Sequence, residues 1–394
     1  MSAIDGLRLV GPPGSNKVMA GELSRLVRRA LRGFRLSQPK KAGPGVLVYP
    51  FDRGLALLAV SYCRTASRVL WDLYESRAER LEPLYDELMM DAAADARGWS
   101  WDGASFSIRP RNLSDFPAAA LQMVGAVKNA LIDGARARGL RLRVDTDAPD
   151  VLLAARRHDR VLTVSVDLGG QALHQRGYRR AAGEAPLREN LAAVLVMLAR
   201  FDARTDVLID PMAGSGTLAI EAALMGRGEP LWATAADRAP AALRLPEFAA
   251  EVARDQPLYA DTRPLILANE IDTRTVALAR TNIEAAGAAP WVHALHGDFR
   301  DLRAARIERM IAAGGRTGQT GVILTNPPYG ARLDRSDPMP LYRDLGAWCR
   351  QFAGWRAAFL VAHREFPAAF GSRPRVVKPL RNGNQPAVFY LYDL

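Results

Sequence analysis

Asn326-Pro327-Pro328-Tyr329 directly follows the apolar run Val322-Ile323-Leu324-Thr325. An asparagine side-chain carbonyl and the backbone carbonyl of the next proline are two acceptors on adjacent residues. The prolines restrict φ, so the backbone oxygen is aimed rather than free. Acceptors placed in this way can each take one hydrogen of an amino group. A nucleobase amine needs such help, because its lone pair is delocalised into the ring until the nitrogen pyramidalises. Held by positions 326 and 327, the nitrogen can point that lone pair at an electrophilic methyl, and the fixed dipoles stabilise the positive charge that develops. Tyr329 offers a ring on which an extruded base stacks. No acid or base with a displaced pKa is required. Asn-Pro-Pro is also an ordinary way to end a strand, so this chemistry needs a methyl donor bound beside it.

A donor site is legible at Asp210-Pro211-Met212-Ala213-Gly214-Ser215-Gly216-Thr217, where a strand gives way to a helix. Glycines there allow a tight turn and let a ligand approach the amides at a helix N-terminus. Asp210, Met212, Gly214, Ser215, Gly216 and Thr217 are therefore expected to bind cofactor. The spacing lacks the third glycine of the dinucleotide fingerprint. That absence suits S-adenosylmethionine, which has no pyrophosphate to cradle. An acid at the tip of the next strand should accept the ribose hydroxyls. Asp237 stands at the usual distance behind a poor strand, whereas Glu270 ends a convincing one. Glu270 is the choice, which makes residues 226–264 an insertion. Asp298 is placed to meet the adenine amino group, or else serves as a turn residue after Gly297.

These residues need a scaffold of alternating strands and helices. From residue 186 onward the rhythm is strand, loop, helix, the pattern of a doubly wound parallel sheet. Strands are expected at 207–210, 265–270, 291–295, 322–325 and 357–361, with helices at 190–201, 217–225 and 273–286. Segments 375–379 and 387–392 flank Asn382-Gly383, a strong hairpin signal. The expected class is α/β, with a Rossmann-like carboxy-terminal unit at 186–394 closed by an antiparallel hairpin. Ahead of it, residues 1–55 read as a small basic piece, 56–168 as a mixed α+β region and 169–185 as a linker. Within these, strands are expected at 46–49, 105–109, 151–155 and 161–166, and helices at 53–62 and 118–139.

The chain has 394 residues, a net charge of +11 and two cysteines, Cys63 and Cys349. Two isolated cysteines exclude a disulfide framework and a cysteine-rich zinc site, so no metal is expected and a reducing cytoplasm suits best. No apolar run approaches the length of a membrane span. A pI near 10.0 points to a polyanionic partner. The excess is uneven: residues 1–50 carry nine Lys/Arg against Asp5 and Glu22. For His174-Gln175-Arg176-Gly177-Tyr178-Arg179-Arg180 two readings stand side by side. One is a linker with solvated charges. The other has Arg176, Arg179 and Arg180 on RNA phosphates and Tyr178 stacking on a base.

With these motifs in place, the chain resembles the THUMP-containing RNA guanine-N2 methyltransferases, and among them the amino-terminal (RlmL-type) half of the bacterial 23S rRNA enzyme. The likeness runs from about Gly45 to the end. It is carried by Cys63-Arg64-Thr65-Ala66-Ser67-Arg68, Asp147-Ala148-Pro149-Asp150, Leu173 to Arg179, Asp210 to Thr217, Ala279-Arg280-Thr281-Asn282, Asn326 to Gly330 with Arg332-Leu333, and Asn382-Gly383. The resemblance implies a ferredoxin-like piece (1–55) and a THUMP RNA-binding domain (56–168) before the catalytic domain. It also implies S-adenosyl-L-methionine as cofactor and ribosomal RNA as substrate, with transfer RNA second. Residues 1–44 align poorly, Glu270 replaces the more usual Asp, and Arg188 stands where a Lys is common. The Asn-Pro-Pro-Tyr signature also serves adenine-N6 and glutamine methylation. A non-catalytic RNA-binding assembly factor, the reading of another class, would predict a damaged cofactor loop.

Overall fold

The computed structural model describes residues 4–95, 101–113, 116–180, 187–233, 235–251, 254–314, 320–328 and 337–394. Two mixed sheets organise them. The front sheet has eight strands: β1 (Gly6–Val10), β2 (Lys40–Lys41), β3 (Val46–Pro50), β4 (Arg68–Ser76), β5 (Ser105–Arg111), β6 (Arg143–Val144), β7 (Val151–His158) and β8 (Val161–Asp167). Their order is β2-β3-β1-β4-β8-β7-β5-β6. The expected break at residues 55 and 56 thus falls inside one continuous sheet, because β1 pairs with both β3 and β4. Helices α1 (Asn16–Ala30), α2 (Arg53–Tyr62), α3 (Leu81–Ala93) and α4 (Ala120–Ala137) belong to the same part of the chain. The α2 helix starts where the Asp52 carboxylate accepts the Leu55 N–H at 2.8 Å, a side-chain N-cap.

Strand β4 escaped the reading of the sequence for a physical reason. It runs between β1 and β8 and is buried on both faces, so it lacks the alternation of a half-exposed strand. One of its two acids, Asp72, is fully buried. The carboxylate pairs with Arg8 on β1 at 2.7 Å and accepts the Ser165 hydroxyl from β8 at 2.7 Å. A charge taken out of water must be paired in this way. The cross-strand pair therefore ties three neighbouring strands together.

The back sheet holds β9 (Asp206–Asp210), β10 (Leu265–Glu270), β11 (Val292–His296), β12 (Thr320–Thr325), β13 (Arg356–Val361), β14 (Val376–Asn382) and β15 (Gln385–Asp393). Their order is β11-β10-β9-β12-β13-β15-β14. The first five strands are mutually parallel, and β15 is antiparallel to β13 and β14. This is the Rossmann-like class I methyltransferase fold. The hairpin turns at Asn382-Gly383 as expected, with Asn382 opposite Gln385. Helices α5 (Glu189–Leu198), α6 (Thr217–Arg227), α7 (Thr273–Ala285), α8 (Ala304–Ala313), α9 (Met339–Cys349) and α10 (Phe366–Phe370) complete the domain. Two apolar clusters fill it. One joins α5, α6 and α7 to the sheet, and the other gathers Tyr342, Trp348, Phe359, Phe366, Phe370 and Tyr392.

Residues 226–264, expected as an insertion, contain no strand among the described residues. Their apolar side chains Leu231, Ala242, Leu245 and Phe248 join the core of the front sheet. Phe248 meets Phe51 edge to face at 6.4 Å. The insertion is therefore a strap from the catalytic domain into the front core. No described helix is long and apolar enough to cross a membrane.

Candidate active site

In a sheet ordered this way the direction of strand succession reverses between β9 and β12. A crevice opens there, at the carboxyl ends of the two strands. Asp210 ends β9, and Asn326 follows β12 directly. The register pairs Ile323 with Ile209, so the two chain ends emerge side by side. A cavity of about 560 Å³ occupies the crevice. That size is typical of a small-molecule site. Of the expected residues, Asp210, Met212, Gly214, Ser215, Thr217, Glu270, Asp298, Asn326 and Pro328 line it. Gly216 and Pro327 each lie between two lining residues, and Tyr329 lies outside the described residues.

The cofactor loop is held from several sides. Gly216 caps α6 in the left-handed region with φ 84°, and Gly214 has φ 54°. A side chain with a Cβ resists that conformation, which is the physical reason for glycine at both positions. Glu270 reaches across from β10, and its Oε2 accepts the Gly214 N–H at 2.9 Å. Its Oε1 accepts the N–H groups of Ile271 and Asp272 at 2.9 and 3.1 Å. The competing acid, Asp237, sits in a short 3-10 turn away from any strand end. The longer side chain at 270 thus spans the gap to the loop and still faces the cavity.

Asp210 is fully buried, and burial pushes its carboxyl up to about 7. The Met212 N–H, donating at 3.2 Å, and the nearby Thr325 hydroxyl pull it down, and the Glu270 charge pushes it up further. A carboxyl so poised favours a cationic ligand, which would restore its charge. Asp298 also faces the cavity, but it is already engaged. It caps the 3-10 turn at Phe299–Asp301 and pairs with Arg300 at 2.8 Å. Arg300 bridges on to Asp344 of α9 at 2.8 Å. Asp298 is thus a turn residue whose side chain also lines the cavity.

Asn326 presents the most telling atom of the site. Its Oδ1 is buried and has no hydrogen-bond partner among the described residues. A buried acceptor left unpaired costs about 1–3 kcal/mol, so it is expected to have a donor during function.

Some contributors were missed in the sequence. Asn269, on β10, is 1% exposed. Its Nδ2 donates to the Pro211 carbonyl at 3.2 Å and to the Gly297 carbonyl at 2.9 Å, and its backbone carbonyl accepts the Ala213 N–H at 2.8 Å. It clamps the loops that carry Asp210 and Asp298. Asn282 of α7 does the same for Ser215, donating to its carbonyl at 3.1 Å. Ile271 is 60% exposed at the cavity rim, an apolar side chain that a flat ring could cover. Only Asn282 carried a signal, as part of Ala279 to Asn282. A polar residue inside an apolar strand, as at 269, is the cue that could have found the other clamp.

The segment 174–180 requires a correction. Arg176 is 2% exposed and Tyr178 1% exposed. The Arg176 guanidinium donates to the carbonyls of Leu173 and Arg64, the latter at 2.6 Å, and lies 3.5 Å from the Glu221 carboxylate. The Tyr178 hydroxyl donates to the same carboxylate at 3.1 Å. Arg179 pairs with Glu189 at 2.9 Å and donates to the Leu187 carbonyl at 3.0 Å. Arg176 and Tyr178, buried and engaged in this way, cannot touch phosphates or stack on a base, and the partly buried Arg179 is held by Glu189. The solvated-linker reading fails for the same three. Arg180 alone keeps an exposed side chain, while its N–H donates to Asn282 at 3.0 Å. These residues form the joint between the front module and α6, where Arg64 of the front module also meets Glu221 at 3.1 Å.

Comparison with known proteins agrees with this geometry. Residues 176–390 match the family described as "RMKL-like, methyltransferase domain". The chain belongs to this family. The Ribosomal RNA large subunit methyltransferase K/L of Shewanella sp. (strain ANA-3) is 31% identical over 412 residues, covering 97% of this chain and 52% of that protein. The chain therefore spans about half the length of the curated relatives it matches. Among solved structures, "a possible methylase" from Clostridium difficile 630 is 25% identical with a TM-score of 0.78, covering 99% of this chain and 98% of its own. SMU.472, crystallised with SAH, is 22% identical with a TM-score of 0.78, covering 100% of this chain and 99% of its own, and shares the fold.

Proposed function

We propose that the chain transfers a methyl group from S-adenosyl-L-methionine to the exocyclic N2 of a guanine in RNA, with large-subunit ribosomal RNA as the substrate. The observation that carries this reading is the Asn326 Oδ1, buried and without a partner among the described residues, on a residue lining the same cavity as Asp210, Gly214 and Glu270. The donor set fits the cofactor. Glu270 is a carboxylate for ribose hydroxyls, Asp210 a carboxyl tuned to meet a cation, and Ile271 an apolar rim for adenine. The family and the K/L relatives support methyl transfer to ribosomal RNA.

Held by Asp210, Glu270 and the glycine loop, S-adenosyl-L-methionine would supply an electrophilic methyl on a sulfonium, with S-adenosylhomocysteine as the leaving group. Asn326 Oδ1 and the Pro327 carbonyl each accept one hydrogen of the guanine amine. That grip frees the nitrogen lone pair from the ring and orients it for in-line attack. A new N–C bond forms as the S–C bond breaks. The nitrogen, now cationic, loses one of its protons to water without a dedicated base. Asn269 acts one step back, as a positioning residue for both cofactor loops.

Asn326→Ala tests this directly. Transfer of labelled methyl from S-adenosylmethionine to ribosomal RNA should fall by about 10²-fold or more, the usual scale for losing a preorganised dipole. Cofactor uptake by calorimetry should stay near wild type. Near-normal transfer by the variant would sink the mechanism. Nucleoside mass mapping of the product identifies the base and the atom.

A further inference from the structure

With Arg176 and Tyr178 buried and Arg179 paired to Glu189, the positive charge that meets RNA must lie elsewhere. A second cavity, about 390 Å³, opens where the front sheet faces the start of α5 and the terminal hairpin. Four separate stretches of chain bring arginines to it. Arg109 and Arg111 stand on β5 with Arg156 on the neighbouring β7, Arg188 precedes α5, and Arg381 stands on β14. All but Arg156 are exposed. None of the five pairs with a carboxylate among the described residues. Asp167, a carboxylate on the wall, is already paired with Arg68. His174 registers the same field, since burial and then the Arg188, Arg176 and Arg68 charges lower its pKa to about 4.

A cluster of cations alone would take any polyanion. Asn190 narrows the choice. It lines the same cavity, is 4% exposed, and its Oδ1 has no donor among the described residues. The terminal amide torsion of asparagine is broad, so this oxygen can turn to meet a donor in the groove. Phosphate oxygens satisfy arginines but offer no hydrogen. A ribose 2′-hydroxyl does, and it is the group that separates RNA from DNA. The groove also adjoins the methyl-donor site: Leu187 lines that cavity and Arg188 lines this one.

We infer that this groove between the two sheets is the RNA track, with phosphates on Arg109, Arg111, Arg156, Arg188 and Arg381 and a ribose 2′-hydroxyl donating to Asn190 Oδ1. It rests on the RNA reading above for the identity of the polymer. The residues that grip that polymer follow from the cavity itself.

The test measures binding of single-stranded oligouridylate and of its deoxy counterpart over a salt series. It compares the wild type with Arg109→Ala/Arg111→Ala, Arg381→Ala and Asn190→Ala, with S-adenosylmethionine uptake as the check of folding. Each lost phosphate contact should reduce the salt slope for a single strand by about 0.7. The double variant should bind RNA about tenfold more weakly at moderate salt. Asn190→Ala should leave the slope alone and remove a preference for RNA over DNA of roughly two- to tenfold, the worth of one hydrogen bond. Unchanged affinity and slope in the arginine variants, with cofactor uptake intact, would overturn the track. Equal wild-type binding of the two polymers would overturn the role of Asn190. The two proposals fail separately. RNA binding lost in these variants without any methylation by the wild type leaves the groove standing. Methylation that depends on Asn326 but not on the groove arginines leaves only the chemistry.

Discussion

Asp210 links chemistry to pH at the level of one side chain. Its folded pKa, about 7, lies above the value of about 4 expected in the unfolded chain. Between those values the native protein holds a proton that the unfolded chain has released. The contribution of this one group to the stability of the cofactor-free protein should therefore be fully present below pH ~4 and be lost as pH rises through ~7, on the order of 4 kcal/mol. Asp210→Asn should flatten that decline in thermal melts, and a parallel decline in the variant would show that another group is responsible. A sulfonium cofactor favours the ionised carboxyl. Its uptake below pH ~7 should then release a proton, visible as heats that vary with the ionisation enthalpy of the buffer. Among single residues, the sequence showed Asp210, Glu270 and Asn326 through their place after apolar runs. Ile271 carried no such mark, because one exposed isoleucine is unremarkable until a cavity opens beside it.

At the scale of elements, the site is a matter of loops tied to strand ends. Asn269 binds the loop after β9 to the loop after β11 through two carbonyls. Asn269→Ala should leave those carbonyls without a donor and loosen both walls. S-adenosylmethionine affinity should fall about tenfold, as expected for losing one to two such bonds, with the sheet intact by circular dichroism. Unaltered affinity would reduce the clamp to an incidental contact. Most strands of the back domain were legible, since their short apolar runs end in turn residues. The hairpin at Asn382-Gly383 was legible from two residues. Strand β4 was not, because burial on both faces erases the alternation that marks a strand. Residues 226–264 looked like an insertion in the catalytic domain, yet their apolar side chains serve the other core.

The whole molecule turns on a buried cluster between its halves. Glu221, fully buried on α6, meets Arg64 from the front module, Arg176 from the connecting segment and the Tyr178 hydroxyl. Arg64 also donates to the Glu229 carbonyl at 2.8 Å. Removing one member of such a cluster strands the others without water. Glu221→Gln should cost about 3–5 kcal/mol, read as a lower urea midpoint, and should expose the connecting segment to protease. A variant as stable and as resistant as wild type would show that apolar packing alone holds the halves together.

The chain by itself determined what depends on neighbours in sequence. The glycine bend, the strand-end acids, the Asn-Pro-Pro turn and the basic charge all follow from local sterics and composition. Tertiary structure alone decided the fate of the charges. A guanidinium is a surface group until a distant carboxylate makes its burial tolerable, and Glu221 and Glu189 do that for Arg176 and Arg179. Conversely, Arg109, Arg188 and Arg381 are scattered single residues in the sequence, and only the packing of the two sheets assembles them into one groove.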